Sequence, residues 1–391
     1  MPENLSILHI TNSYGGTTVY QDLYTEIDKL GIHQQIFVPL NFSNQNRLGN
    51  QIIDFKTENS KIFYSTTLKK FHKYFFKLKI INITKSLKKK IKNIEGINLI
   101  HASTFCLDGA VAYQLWKKYK VPYIVTVRNT DINTYYKKLF WRRPFFHSIL
   151  RNSEKILFIS PSYQNRFLNG IVPNAISKTI KDKVITIPNG VDANFIISRS
   201  KKVKINTPVS VLYVGGIQEN KNIHSTIEAI KKCNSKGINI TYTIIGKGLE
   251  NRRYSSSYIQ EIEKYEELHD WLSILPKQDK KTLKISYANS DIFVMPSMKE
   301  TFGLVYVEAL SQGLPIIYSK GQGIDGFFQD GEVGYAVNPR SIDDIAEKIE
   351  MIINNYQELI HRIQNIDMNI FSWESIAIQY QMIYKSILVK E

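Results

Sequence analysis

Short apolar runs recur along the chain, and most are followed by stretches whose apolar positions return every three to four residues. In the first half the runs are Ile7–Ile10, Gln35–Pro39, Ile97–His101, Tyr123–Val127 and Ile156–Ile159, with helical periodicity in Val19–Leu30 and Ala110–Tyr119. The second half repeats the scheme. Val209–Val214, Thr241–Ile245, Asp291–Met295 and Leu314–Tyr318 read as strands, and Asn222–Cys233 and Lys281–Tyr287 as helices between them. Such alternation predicts parallel sheets covered by helices on both faces. A chain of 391 residues is too long for one ordinary core, so two domains are expected. Their boundary is expected near Asn189-Gly190, followed by a polar linker over Ser198–Asn206. The last segment carries Ile376, Tyr380, Ile383 and Ile387 on one helical stripe.

One strand-to-helix passage carries chemistry. Ser290–Ser297 reads as a buried strand stopped by Pro296, and from Leu304 the positions Leu304, Val307, Glu308 and Leu310 fit a helix that Gly313 and Pro315 end. Glu300 then lies in the connecting loop and Glu308 one to two turns inside the helix. The N–H groups of Phe302, Gly303 and Leu304 are predicted to point out of the helix start, where the dipole favours a phosphate, and Gly303 allows close approach. Two carboxylates around such a turn suit a sugar nucleotide. Gly246 and Gly248, in Ile-Ile-Gly-Lys-Gly, read either as a second loop near the nucleotide or as a tight turn. Gly15 and Gly16, after the first strand, read either as a close approach to the diphosphate or acceptor, or as a plain turn.

The spacing of Glu300 and Glu308 is that of the retaining glycosyltransferases of the GT-B fold, and the chain resembles family 4 of that group most closely. Ile187-Pro-Asn-Gly-Val-Asp192 resembles the family's interdomain hinge, and Val214-Gly-Gly-Ile-Gln-Glu-Asn-Lys221 its phosphate-binding segment. With Ser13-Tyr-Gly15-Gly16 near the start and Phe371-Ser-Trp373-Glu374 near the end, the resemblance covers nearly the whole chain. It implies an α/β protein of two Rossmann-like domains facing a central cleft. Residues 1–190 would bind the acceptor, 191–372 the nucleotide sugar, and a helix in 373–391 would pack back on the first domain. The implied reaction moves a sugar, with retention, from a nucleoside-diphosphate sugar to a lipid-linked or cell-envelope polysaccharide acceptor.

The same resemblance assigns roles. Lys221 would meet the diphosphate, Glu300 the transferred sugar and Glu308 the ribose hydroxyls, with Thr301, Phe302, Gly303 and Leu304 forming the phosphate turn. A second base usual four positions before Lys221 is replaced by Ile217, so Lys247 or Arg252 would have to substitute. His101 is either a donor-sugar contact or a satisfied structural histidine. The position where the family more often has its histidine holds Arg128, a candidate for a phosphate or acidic sugar, and Asp131 is a candidate for orienting the acceptor hydroxyl. Retention implies either front-face transfer, in which the leaving phosphate takes the acceptor proton and no separate base is required, or double displacement through a carboxylate close beneath the anomeric carbon, and the sequence leaves both open. The region Ile274-Leu-Pro-Lys277 is expected near the base.

The formal net charge is +16, from 51 Lys and Arg against 35 Asp and Glu. Lysines crowd Lys56–Lys92, where Phe71, Tyr74, Phe75, Phe76 and Leu78 interleave with Lys69, Lys70, Lys73, Lys77 and Lys79. A second cluster is Tyr135-Tyr-Lys-Lys-Leu-Phe-Trp-Arg-Arg-Pro-Phe-Phe146. The first mixture suits an amphipathic helix lying in a lipid headgroup region, or a solvated lysine-rich face on a packed helix, and both clusters suit contact with an anionic membrane surface. No nucleic-acid recognition motif accompanies the charge. Two cysteines, Cys106 and Cys233, fall in different predicted domains, which argues against a disulfide. Histidines are scattered and no Asp-x-Asp triplet occurs, so no metal or other cofactor is expected. No signal segment or membrane span is read, and a cytoplasmic enzyme at the inner membrane face is expected. Competing readings are a GT-B sugar-nucleotide epimerase, a non-catalytic sugar-nucleotide-binding module and a basic nucleic-acid-binding protein.

Overall fold

The computed structural model describes residues 5–200, 202–247 and 256–389. The chain forms two compact units. The first comprises Met1–Ile159, Gln164–Gly190 and Trp373–Glu391, the second Ser160–Tyr163 and Val191–Ser372.

Unit 1 is built on a seven-stranded parallel sheet. Its strands are β1 (Ser6–Ile10), β2 (His33–Pro39), β3 (Lys61–Ser65), β4 (Leu99–Ala102), β5 (Tyr123–Val127), β6 (Ile156–Phe158) and β7 (Val184–Thr186), in the order β3-β2-β1-β4-β5-β6-β7. Register is set by pairs such as Ile7 with Leu99 and Val125 with Ile156. Every residue of β4, β5 and β6 is buried, the condition under which strands read as continuous apolar runs. Helices α1 (Val19–Lys29), α2 (Phe76–Lys90), α3 (Asp108–Tyr119) and α4 (Arg143–Asn152) accompany the sheet. The helix Trp373–Leu388 belongs to this unit and packs on α1. Its buried face is Ile376, Tyr380, Tyr384 and Ile387, while Ile383 is only half-buried, because Tyr384 follows Tyr380 at helical spacing.

The lysine-rich segment is not one helix. It contains the edge strand β3, a 3-10 turn over Lys70–Lys73 and then α2. Lys61 starts β3 and is exposed, as suits a strand that has to discourage further pairing.

Unit 2 carries a six-stranded parallel sheet, β8 (Val209–Val214), β9 (Ile240–Lys247), β10 (Leu272–Pro276), β11 (Ile292–Met295), β12 (Ile316–Ser319) and β13 (Gly334–Val337), in the order β10-β9-β8-β11-β12-β13. The stretch Ile274-Leu-Pro-Lys277, expected near the base, lies at the end of edge strand β10, whose Ile274 pairs with Ile244. The polar run Ser198–Asn206 is no loose linker. Arg199 donates to the carbonyls of Ile363 at 2.8 Å and Ile366 at 3.0 Å, and Asn206 donates through Nδ2 to Asp291 at 3.0 Å. Arg199 thus satisfies two backbone carbonyls of unit 2, and Asn206 a buried carboxylate oxygen. Cys106 and Cys233 are buried free thiols, one in each unit.

Candidate active site

In unit 2 the chain turns from β8 through Gly215 and Gly216 into a 3-10 turn at Glu219–Lys221, and the helix Ile223–Ser235 follows. Asn222, fully buried and in the left-handed conformation at φ 59°, fixes the corner: its amide donates to the carbonyls of Pro296 at 3.1 Å and Pro339 at 2.6 Å. Asn220 accepts from the N–H of Met298 at 2.9 Å and donates to the carbonyl of Lys299 at 2.8 Å. The turn that carries Lys221 is thereby stitched to the loop that carries Glu300. Their side chains meet: Lys221 Nζ lies 2.5 Å from Glu300 Oε2, and they are 19% and 14% exposed. Glu300 Oε1 accepts the N–H of Thr301 at 2.9 Å.

Beyond Glu300, Gly303 takes φ +80° and opens the helix Leu304–Ser311. A Cβ there would stand 2.5 Å from the Tyr306 ring, so both the backbone conformation and the space require glycine. The N–H groups of Phe302 and Gly303 find no acceptor among the described residues, and Leu304 starts the helix. Phe302's own side chain is core, packed edge-on against Phe327, so only its backbone can serve a ligand. Glu308 lies in the second turn and accepts the Tyr287 hydroxyl on Oε2 at 3.0 Å. Burial pushes its carboxyl above the ordinary range, opposed by that hydrogen bond.

A second loop, Gly321-Gln-Gly323, brackets Glu300 and escaped the sequence reading. Gln322 Oε1 accepts the N–H of Glu300 at 3.2 Å, and the N–H of Gly323 donates to the carbonyl of Glu300 at 2.9 Å. The two glycines in Gly-Gln-Gly after β12 were the available signal. Asp192, last residue of the hinge-like motif, caps the helix Ala193–Ile197 and pairs with Lys280 at 2.6 Å.

One donor-side expectation changes. Gly246 is not in a loop after its strand but within β9, where a Cβ would stand 1.8 Å from the Gly215 carbonyl oxygen; it is glycine so that two backbones can meet. Gly248 and Arg252 lie outside the described residues. Ile217 is a core side chain, 2% exposed, and Lys247 pairs with Glu263 at 2.8 Å.

Unit 1 places its candidates differently. His101 is buried, with Nδ1 2.8 Å from the Tyr384 hydroxyl and Nε2 3.1 Å from Thr126 Oγ1. Burial, then the nearby Arg128, lowers its pKa to about 3. With both ring nitrogens partnered it is a satisfied core histidine, the structural one of its two readings, and not a catalytic or donor-sugar contact. Asp131 is fully buried and accepts the N–H groups of Cys106 at 2.8 Å, Arg128 at 2.9 Å and Phe105 at 3.1 Å. Both oxygens tie the loop after β4 to the end of β5, so Asp131 does not stand ready for an acceptor hydroxyl. Arg128 is half-buried, its guanidinium over the Tyr20 ring at 5.0 Å and its Nε donating to the Ser103 carbonyl at 3.4 Å. Gly15 and Gly16 face the chain's own loop: added Cβ atoms would meet Arg47 at 2.8 Å and 2.7 Å. Among the described residues no group of three or more His, Cys, Asp or Glu could hold a metal, and no helix is long and apolar enough to cross a membrane.

Two family models divide the chain between them. Residues 14–195 match the model described as Glycosyltransferase Family 4, and residues 195–367 match that described as Glycosyl transferases group 1. An uncharacterized glycosyltransferase of Methanocaldococcus jannaschii is 26% identical over 76% of this chain and 78% of its own length. The capsular polysaccharide biosynthesis glycosyltransferase CapM of Staphylococcus aureus is 28% identical over 54% of this chain and 61% of its own. Among solved structures, a sucrose-phosphate synthase of Thermosynechococcus elongatus superposes with TM-score 0.74 at 18% identity, covering 99% of this chain and 100% of that one. HepE of Anabaena, solved with UDP and glucose, superposes with TM-score 0.68 at 16% identity, covering 98% and 100%. These last two likenesses speak for the fold.

Proposed function

The chain belongs to the family 4 glycosyltransferases of the GT-B fold, and on that premise we propose that it moves a sugar, with retention, from a nucleoside-diphosphate sugar to a lipid-linked or cell-envelope polysaccharide acceptor. The observation that carries this is the joined turn in unit 2: Lys221 against Glu300, the open N–H groups of Phe302 and Gly303 at a helix start, and Glu308 inside the same helix. Charge grows on the β-phosphate as the bond from the sugar C1 to the phosphate oxygen breaks. Lys221 and the helix-start N–H groups are the charges that answer it. Glu300 holds Lys221 until a diphosphate competes for the ammonium, and its carboxylate is then free for the sugar hydroxyls. Glu308 takes the ribose hydroxyls on the oxygen that Tyr287 leaves open.

Bond formation is proposed on the face the phosphate leaves. The acceptor oxygen attacks C1, and its proton passes to the departing phosphate oxygen. No protein base is needed for that step, and metal independence belongs to the same proposal. The relatives named for polysaccharide synthesis support an envelope acceptor. The exposed aromatics and lysines of unit 1 support work at an anionic membrane surface on the cytoplasmic side.

Thermal stabilisation by a panel of nucleoside diphosphates and their sugars, with and without EDTA, tests the reading. At a hundredfold excess over Kd a ligand of the folded state adds about 2.7 kcal/mol. One nucleotide is expected to raise Tm, unaffected by EDTA, and Glu308→Ala to lose the rise. Absence of any rise across the panel overturns the proposal. Sugar-nucleotide turnover without an acceptor would instead favour an epimerase.

A further inference from the structure

Unit 1 contains a cavity of about 580 Å³ lined by none of the residues proposed above to meet the donor or the acceptor. That volume is within the roughly 300–1,000 Å³ of pockets that enclose a small ligand. Its apolar wall is Phe76 and Ile80 of α2 with Phe145 of α4, and Lys77, Lys85 and Arg142 belong to its lining. The i, i+4 spacing on α2 makes this division: Phe76, Ile80 and Thr84 form one row, and Lys77, Ile81 and Lys85 the next. Two sequence clusters meet here. Arg142 stands over the Phe76 ring at 5.4 Å, and Phe76 packs edge-on against Phe146 at 5.7 Å.

Two observations say the cavity expects an occupant. Thr84 lines it, is 9% exposed, and its Oγ1 is buried without any hydrogen-bond partner. A buried hydroxyl left so is destabilising, and a ligand oxygen would relieve it. Among the described residues, Lys77, Lys85 and Arg142 join no ion pair, so the charges beside an apolar wall are uncompensated. Phosphate alone has no use for Phe76 and Ile80, whereas a lipid uses both halves. Neighbours in sequence fit that occupant: Phe75, Leu78, Phe140 and Trp141 are 55%, 47%, 63% and 60% exposed, the side chains that enter a headgroup layer.

We propose that this cavity captures one anionic phospholipid from a bilayer, an acyl chain against Phe76, Ile80 and Phe145 and the phosphate on Lys77, Lys85 and Arg142. Unit 1 then docks on a membrane through a built lipid site and not through spread charge alone. The inference deepens the membrane reading proposed above and rests on it, yet its assay contains no sugar, so a failure here and a failure of the transferase reading are separate results.

The test measures binding of the full chain to vesicles of phosphatidylcholine with and without phosphatidylglycerol, and to monomeric dihexanoyl phosphatidylglycerol by calorimetry. Lys77→Gln with Lys85→Gln is expected to weaken vesicle binding about thirtyfold, at roughly 1 kcal/mol for each basic residue at an anionic surface. Thr84→Trp fills the cavity with every cation kept and is expected to abolish binding of the short-chain lipid. Ile81→Glu, at a position 39% exposed, puts a carboxylate between the lysines without disturbing the core and is expected to do the same. Lys69→Gln with Lys70→Gln, off the cavity lining, leaves short-chain lipid binding intact. Wild-type affinity in folded Ile81→Glu, equal competition by inorganic phosphate, or tighter capture of an RNA oligonucleotide than of the lipid would each overturn the proposal.

Discussion

Glu300 and Asp131 stand at matching addresses, each a few residues beyond the carboxyl end of a central parallel strand, β11 in unit 2 and β5 in unit 1. Loops there are where open α/β sheets bind ligands. Their surroundings differ. Glu300 retains 14% of its side-chain surface and is met by a lysine ammonium, a partner that a phosphate can draw away. Asp131 has no exposed surface and is met by three backbone N–H groups that nothing can draw away. Position after a strand therefore does not make a carboxylate a ligand group. Its partners decide: mobile cations leave chemistry available, and fixed amides turn the same side chain into a brace.

The largest expected effect belongs to the brace. Asp131→Ala leaves three buried N–H groups unpaired, and at about 1–3 kcal/mol each the loss is on the order of 3 kcal/mol or more. Chemical denaturation should show that loss, with nucleotide stabilisation kept in whatever fraction folds. Lys221→Ala should do the opposite. Removing one charge-stabilising group typically lowers kcat by about 10²–10³, while the carboxylate it leaves behind keeps the Thr301 N–H and 14% of its surface in solvent, so the loss to the fold is the smaller of the two effects. Turnover and Tm measured on both variants place them on opposite axes. A stable Asp131→Ala without turnover would break the comparison.

Sequence told much about unit 2's site because backbone conformation is written in residue type there. Gly303 and the prolines at 296 and 315 each announce a turn, and the apolar runs beside them announce strands. Unit 1's candidates were legible as residues but not as environments. Whether His101 faces a ligand or Tyr384 depends on a helix 283 residues later in the chain. The short edges β3, β7, β10 and β13 were missed because edge strands carry charge or too few residues to show a pattern. The lysine–aromatic segment was read as one amphipathic helix because interleaving of type is visible in sequence and its division between strand, turn and helix is not.

A smaller effect separates the units by pH. Asp108 of unit 1 accepts from Asn12 Nδ2 at 2.8 Å and Thr104 Oγ1 at 3.0 Å, yet its Oδ1 is buried without a partner. Burial outweighs those bonds and raises its pKa to about 7, and that of Asp131 to about 6. With folded values above the unfolded one near 3.9, the native state binds more protons between them. Stability from these groups is thus full below pH 4 and is lost as pH rises towards 6 and 7, with a slope of up to about 1.4 kcal/mol per pH unit for each group. Denaturation between pH 4.5 and 7.5 should show the fall, flattened in Asp108→Asn. An unchanged slope in that variant assigns the titration to other groups.

The smallest effect concerns the charge that Ile217 does not supply. Ile217 is sealed in the core of unit 2, so no rearrangement of its turn brings a base to that place. Lys247 ends β9 with 49% of its side chain exposed and is held 2.8 Å from Glu263. An exposed pair of this kind contributes about 0–1 kcal/mol, so Lys247→Ala should leave Tm nearly unchanged. Its ammonium is already answered by a carboxylate, as Lys221's is by Glu300, but among the described residues no loop brackets Glu263 the way Gln322 and Gly323 bracket Glu300. The expected result is an intact nucleotide-dependent rise in Tm, which leaves Lys221 as the cation that matters for the diphosphate. A rise reduced by about 1.4 kcal/mol, tenfold in Kd, would make Lys247 the second base. The contrast between the units would then rest on two exchangeable cations in unit 2 and not on one.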